Sequence, residues 1–169
     1  MTNVMLNVIA DLLEYPTKWI KRKREIEEIV NNLTSSRAYL LKEFLEEVSN
    51  YNELDLEEIY VKTFDNNDYI TLNISYYITG EEKNRVNLPK RGLLLVWLKE
   101  RVKDYMREDL PDYLPTLLRY LGSKYDEEVK KLIQNPLKTL QSRLKEHKSV
   151  FYPLITLAIL ELYGGEVNG

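Results

Sequence analysis

The sequence predicts an all-α fold: a single-domain helical bundle over residues 1–169, of about eight to ten helices at ordinary helix lengths, around a central apolar C-terminal helix. Three observations carry this. Apolar residues recur at i, i+3, i+4 spacing along most of the chain. Only six Gly and six Pro occur, too few for a turn-rich β fold. The one β-branched run, at 70–79, finds no second strand-like run to pair with, so it is read as helix. At 169 residues and 44% apolar content the chain can bury a sizeable core.

The first helix is expected over 4–14, with Met5, Val8, Ile9, Leu12 and Leu13 on one face and Pro16 closing it. The second runs from 17 to 32, carries Trp19, Ile26, Ile29 and Val30, and ends at Asn31-Asn32. Ser35 or Ser36 caps the third, whose stripe is Leu41, Phe44, Leu45 and Val48. Residues 53–64 place Leu56, Ile59 (or Tyr60) and Phe64 on one stripe, and Asp65 or Asp68 caps the short helix at 69–79. Residues 80–91 read as the main loop, with Gly80, Pro89 and mostly polar side chains. A strong helix follows at 92–107, with Leu94, Trp97, Leu98, Val102 and Tyr105 in register. Asp112 is placed as the N-cap of a helix at 113–122 that holds Pro115 in its first turn and ends at Gly122 as C-cap. Two more helices read as 125–134 and 136–146, with Pro136 starting the second. The last, 150–163, is apolar nearly all round and belongs in the middle of the bundle.

Absences exclude most enzyme classes. There is no cysteine, hence no disulfide, thiolate metal site or cysteine nucleophile, which fits a reducing compartment. The single histidine, His147, sits in a polar stretch and reads as a cation at a helix C-terminus. Neither GxxxxGK[ST] nor GxGxxG occurs, so nothing cradles a phosphate. Five Glu-Glu pairs (27–28, 46–47, 57–58, 81–82, 127–128) read as solvated faces, because adjacent helical residues point about 100° apart. Net charge is −3, and the basic run at 18–25 is followed at once by acidic residues at helical pairing distance, so no nucleic-acid partner is expected. The N-terminus lacks a basic n-region and a cleavage site, and the longest apolar run, near 150–160, is too short to span a bilayer. A cytoplasmic protein without membrane insertion, resident cofactor or metal, and not an enzyme, is the expectation.

Two stretches exceed what helix boundaries need. In Glu-Asp-Leu-Pro-Asp-Tyr-Leu-Pro (108–115), capping by Asp112 requires neither Pro111 nor Tyr113. In Tyr60-Val61-Lys62-Thr63-Phe64-Asp65, an aspartate stands at the negative end of a helix. These two stretches resemble motifs of the delta-subunit chaperones of respiratory nitrate reductase (the NarJ type), within the TorD/DmsD family of redox-enzyme maturation proteins. The family's "YVxTFD" is matched at 60–65. Its "ELPD[HY]LPxxLE[FY]L" is matched by Asp109-Leu110-Pro111-Asp112-Tyr113-Leu114-Pro115 and on to Arg119-Tyr120-Leu121. Leu12-Leu13-Glu14-Tyr15-Pro16 resembles the family's opening, and Ser75-Tyr76-Tyr77 through Gly80-Glu81 resembles a fourth element. All four stand in the family's order over about residues 4–160. Arg119 replaces the usual Glu, and the loop at 80–92 departs from the family pattern, with Arg85 and Arg91-Gly92 as competing matches.

The resemblance implies a chaperone that binds the N-terminal leader, or leader remnant, of a molybdenum oxidoreductase catalytic subunit, nitrate reductase alpha or a relative. It would hold the apo-enzyme until the molybdenum cofactor is inserted, and it leaves room for a homodimer. Such a partner is a disordered, basic, partly apolar segment that folds on binding. Tyr60, Phe64, Tyr113 and Tyr120 are then expected as the floor of a groove and Asp65 and Asp112 as its acidic rim. Thr63, Tyr76, Tyr77, Leu110, Pro111, Leu114, Pro115 and Arg119 complete the expected peptide-binding set. The alternatives are a helical scaffold subunit retained in a mature redox complex and, with no phosphate loop to support it, a nucleotide-dependent activity.

Overall fold

A computed structural model describes residues 2–80 and 89–165. Among them are nine α-helices and no strand: α1 (Val4–Leu12), α2 (Lys23–Asn31), α3 (Tyr39–Val48), α4 (Glu53–Tyr60), α5 (Ser75–Thr79), α6 (Pro89–Val102), α7 (Leu114–Ser123), α8 (Glu127–Glu146) and α9 (Tyr152–Tyr163). The fold is all-α, as the apolar periodicity predicts. None of the described helices is long and apolar enough to cross a membrane.

α9 occupies the middle of the bundle, packed by α1, α3 and α8, with Leu154, Ile155, Leu157 and Ala158 fully buried. An aromatic chain runs through the same centre: Trp19, Phe44, Phe151, Phe64 and Tyr60 follow one another at centroid separations of 6.3, 5.9, 5.1 and 5.0 Å. Such large rings carry much of the burial that holds a core together.

Several boundaries differ from the expectation, each for a local reason. The segment expected as one helix at 17–32 opens with two 3₁₀ turns, Pro16–Lys18 and Ile20–Arg22, before α2 begins. Residues 69–79 are not one helix. Their first half pairs with the chain at an isolated antiparallel bridge between Asn73 and Tyr113, and only Ser75–Thr79 is helical. The missing partner was a single residue ahead of a helix, too short to read as a strand. Residues 81–88 of the expected loop lie outside the described residues, and α6 already begins at Pro89. The predicted helices 125–134 and 136–146 are one helix, α8, with Pro136 buried inside it. Proline forfeits one backbone donor there, but the burial of Ile133, Leu137, Leu140 and Leu144 on the same helix outweighs it.

Gly122 is not a C-cap. It lies within α7, whose cap is Lys124, and faces α1. The Asn3 N–H donates to the Gly122 carbonyl at 2.7 Å, tying the start of α1 to the end of α7. A Cβ at Gly122 would stand 3.5 Å from Leu6 Cβ and from Asn7 Oδ1, an ordinary contact. Gly122→Ala is therefore expected to raise unfolding free energy by about 0.5–1 kcal/mol through helix propensity. Gly122→Leu overfills the α1–α7 contact and is expected to lower it by about 1–3 kcal/mol in denaturant unfolding.

Candidate functional site

Residues 110–114 are a turn followed by a bridge. The Tyr113 N–H donates to the Leu110 carbonyl at 3.1 Å, which puts Pro111 at the second position of a β-turn, where its fixed φ suits the geometry. The chain then pairs with residues 72–74: Ile74 N–H donates to Asp112 O at 3.0 Å and Leu114 N–H to Leu72 O at 2.9 Å. The first free donor of α7 is thus satisfied by the bridge, and Pro115 has none to satisfy.

Asp112 does not cap α7, whose N-cap is Tyr113 without a side-chain bond. Its carboxylate, fully buried at 0% exposure, turns to α5 instead. It accepts from Ser75 N–H at 3.2 Å, from Asn73 Nδ2 at 3.0 Å and from the Ser75 hydroxyl, and pairs with Arg91 Nη2 at 3.5 Å. Arg91 also donates through Nε to Ser75 Oγ at 2.7 Å and stacks 4.2 Å from the Tyr76 ring centroid. Asp112 therefore stands at the base of a buried node and is not a rim carboxylate. Neighbouring Tyr77 closes on residue 71, accepting from Thr71 N–H and donating to Thr71 O, both at 2.9 Å. Burial outweighs that bond and nearby Arg143 and pushes its hydroxyl pKa up to about 12.

The stretch 60–65 continues α4 as a π-turn over Val61–Asp65, in which Asn66 N–H reaches back to Val61 O at 2.9 Å. The wider turn separates the motif into two faces. Tyr60 and Phe64 point into the core, while Lys62 and Asp65 are exposed. The Thr63 hydroxyl donates to Ile59 O at 2.7 Å, engaging a carbonyl where the helical ladder changes register. Neither Asp65 nor Asp68 caps a helix at 69, since the Tyr69 N–H is taken by Asn67 Oδ1 at 2.8 Å. Tyr60 has one hydroxyl hydrogen and donates it to Leu13 O at 2.9 Å, so in the 3.4 Å contact between the two hydroxyls Tyr113 is the donor. Burial drives both hydroxyls well above the ordinary tyrosine range.

Arg119 is paired internally, with Asp11 at 2.9 Å and with buried Glu14 at 3.4 Å; Arg107 meets the same Glu14 oxygen at 3.3 Å. Tyr120 lies apart from the others, donating to Asp126 at 2.6 Å, edge-on to Tyr105. Leu114 and Pro115 are buried, and Leu110 is half exposed at 48%.

The structure thus brings Tyr60, Tyr113, Asp112 and Tyr76 into one connected layer, but mostly beneath the surface. The open concavity lies on the other face of the π-turn. A groove of about 910 Å³ runs between α3, α4 with its π-turn, and the α8–α9 connection, floored by Phe44, Ile70, Val150 and Pro153. Of the predicted set, Thr63 lines it. A second concavity of about 630 Å³ adjoins it, the two sharing Tyr51, Ile59 and Lys62, and is walled by Tyr15, Leu54, Asp55, Glu57 and Glu58. Desolvation first, then the Glu57 and Asp65 carboxylates, raise the Tyr15 hydroxyl, so negative charge gathers at this end.

Sequence reasoning missed the α3 wall: Glu43, Glu46 and Glu47 share one helix face and line the groove. The pairs 46–47 and 57–58 are solvated, as expected, but they border concave surface. The available signal was their company, since Leu54 next to Asp55 is left 63% exposed.

Comparison with known proteins agrees with these motifs. A family model described as nitrate reductase delta subunit matches residues 30–156. The chain is 28% identical over 175 aligned positions to the probable nitrate reductase molybdenum cofactor assembly chaperone NarJ of Bacillus subtilis, covering 95% of this chain and 90% of that protein. It is 29% identical over 167 positions to the corresponding probable chaperone NarW of Escherichia coli, covering 97% of this chain and 70% of that one.

Two outcomes follow from the buried groups. Asp112→Asn leaves Arg91 opposite a neutral amide and is expected to lower unfolding free energy by about 3 kcal/mol; unchanged stability would remove the node from the account. For Asp126, burial acts to raise the carboxyl pKa, but the Tyr120 hydroxyl, the Val129 N–H and Arg101 together hold it below the ordinary value. Its stabilising contribution is therefore complete above the unfolded-chain value of about 4 and is lost as pH falls through the lower native value. The stability difference between wild type and Asp126→Asn should shrink steadily from about pH 5 to about pH 2.

Proposed function

The chain belongs to the nitrate reductase delta subunit family, and on that premise we propose that it is a non-catalytic assembly chaperone for a molybdenum oxidoreductase. Its partner in this reading is the N-terminal leader region, or leader remnant, of the catalytic subunit, nitrate reductase alpha or a relative. The chaperone binds that segment in the cytoplasm and holds the apo-enzyme for insertion of the molybdenum cofactor.

The observation that carries the reading is the two-part groove over the π-turn, with an apolar floor and carboxylates along its α3 and α4 walls. A disordered basic segment gains most from such a surface. It buries apolar side chains while folding into a helix, and its arginines meet carboxylates in paired hydrogen bonds. In this arrangement Thr63 contacts the segment directly, and Asp65 adds to the negative field near Tyr15. Tyr60, Phe64, Asp112, Tyr113 and Tyr76 act from beneath, holding α4 and the π-turn in place.

The test is titration with a synthetic peptide covering the N-terminal segment of the same organism's nitrate reductase catalytic subunit. Binding is expected, and the triple variant Glu43→Gln, Glu46→Gln, Glu47→Gln should weaken it roughly tenfold, at about 0.5 kcal/mol per exposed pair, and flatten its salt dependence. Equal affinity and equal salt slope in wild type and variant would sink the groove assignment. Co-purification addresses the role: a chaperone is absent from the mature enzyme, whereas a retained scaffold subunit stays at fixed stoichiometry.

A further inference from the structure

The groove is not uniformly acidic. The same groove that Glu43, Glu46 and Glu47 of α3 line is also lined by Lys145 in the last turn of α8 and by His147 and Lys148 just beyond it. Among the described residues no ion pair joins these two walls. Opposite charges therefore face one another across a space that neither wall fills.

The basic wall has an unusual backbone. α8 ends with His147 as C-cap; Lys148 N–H donates to Lys145 O at 3.0 Å and Ser149 N–H to Leu144 O at 2.9 Å. These two bonds define a Schellman ending, whose left-handed position is ordinarily glycine. Here it is Lys148, at φ 51°, the one non-glycine residue with positive φ among the described residues. The helix dipole accounts for cations in the last turn, Arg143 and Lys145. It does not account for a lysine at a position where glycine relieves the backbone. Lysine pays a backbone cost there that glycine would not, and such outliers cluster at functional sites.

We infer that Lys148, with Lys145, forms an anion-binding pole of the groove, so that the site reads the order of charge across its occupant. Resting on the peptide-binding reading above, the occupant is an amphipathic helical segment with cations on the flank facing α3 and a carboxylate on the flank facing the α8–α9 turn. Net positive charge alone does not satisfy both walls.

Lys148→Gly separates binding from folding. Relief of the left-handed lysine is expected to raise Tm by about 2–4 °C for a chain of this length, while affinity for the wild-type leader peptide falls several-fold. Lys148→Glu should lower affinity by about tenfold or more, given that like charges at a contact repel. A peptide with its Asp and Glu changed to Asn and Gln should bind wild type more weakly and lose little more against Lys148→Gly, the signature of a direct pair. If the wild-type peptide binds and Lys148→Glu binds it equally or more tightly, the groove selects positive charge only and the inference is overturned. If the wild-type peptide does not bind at all, the peptide-binding reading falls and this inference falls with it.

Discussion

The buried Asp112 carboxylate is the interaction on which the middle of the chain depends. Removing a carboxylate from water costs several kcal/mol unless its oxygens are met by donors held in place. Here the donors come from separate segments: Asn73 and Ser75 around the start of α5, and Arg91 in the first turn of α6. None can move without leaving the charge unsatisfied. The single bridge at Asn73 and Tyr113 is thereby held in register although it has no sheet around it. Tyr113 passes the constraint on, because its hydroxyl meets Tyr60, and Tyr60 is anchored to the carbonyl of Leu13 at the end of α1.

That chain of contacts ends at the π-turn, where its consequence for the groove arises. A regular α-helix through 61–65 would keep its carbonyls in the i, i+4 ladder and present a different face outward. The wider turn directs Phe64 into the aromatic core against Phe151 while Lys62 and Thr63 line the outer groove. Inner and outer faces are therefore coupled: the groove keeps its shape because Tyr60 and Phe64 are fixed from below. The buried motif residues set the geometry, and the outer wall carries the charge.

Helix positions were legible because apolar spacing reports burial, and α1, α3 and α9 fall close to where the stripes holding Leu12 and Phe44 and the apolar run at 150–163 put them. What misled was punctuation read locally. Pro136 suggests a helix start, yet it lies inside α8, because tertiary burial overrides one missing hydrogen bond. Asp112 suggests a cap, and its carboxylate does take a first-turn N–H, but that of Ser75 in α5, 37 positions earlier in the chain. No local pattern contains such a relation. The site was legible as motifs and not as surface. Tyr60, Phe64 and Asp112 stand out in sequence because their geometry is demanding, and demanding geometry is buried. Glu43, Glu46 and Glu47 look like any solvated helix face until the α8–α9 turn is seen to stand across from them.

Such facing walls also say something about the unbound protein. If the cations of the α8–α9 turn could reach the carboxylates of α3, pairing them would close the groove, and a partner would have to break those pairs before binding. Among the described residues no such pair forms: α3 is held by the burial of Phe44 and Leu45 into the core, and the turn by its own backbone bonds to Leu144 and Lys145. In the proposed reading, a segment inserting between them would exchange water for two sets of complementary partners at once, over an apolar floor. In the same reading the order of charge across the groove rests on that placement, while its π-turn side is held separately, from Asp112 through Tyr113 and Tyr60.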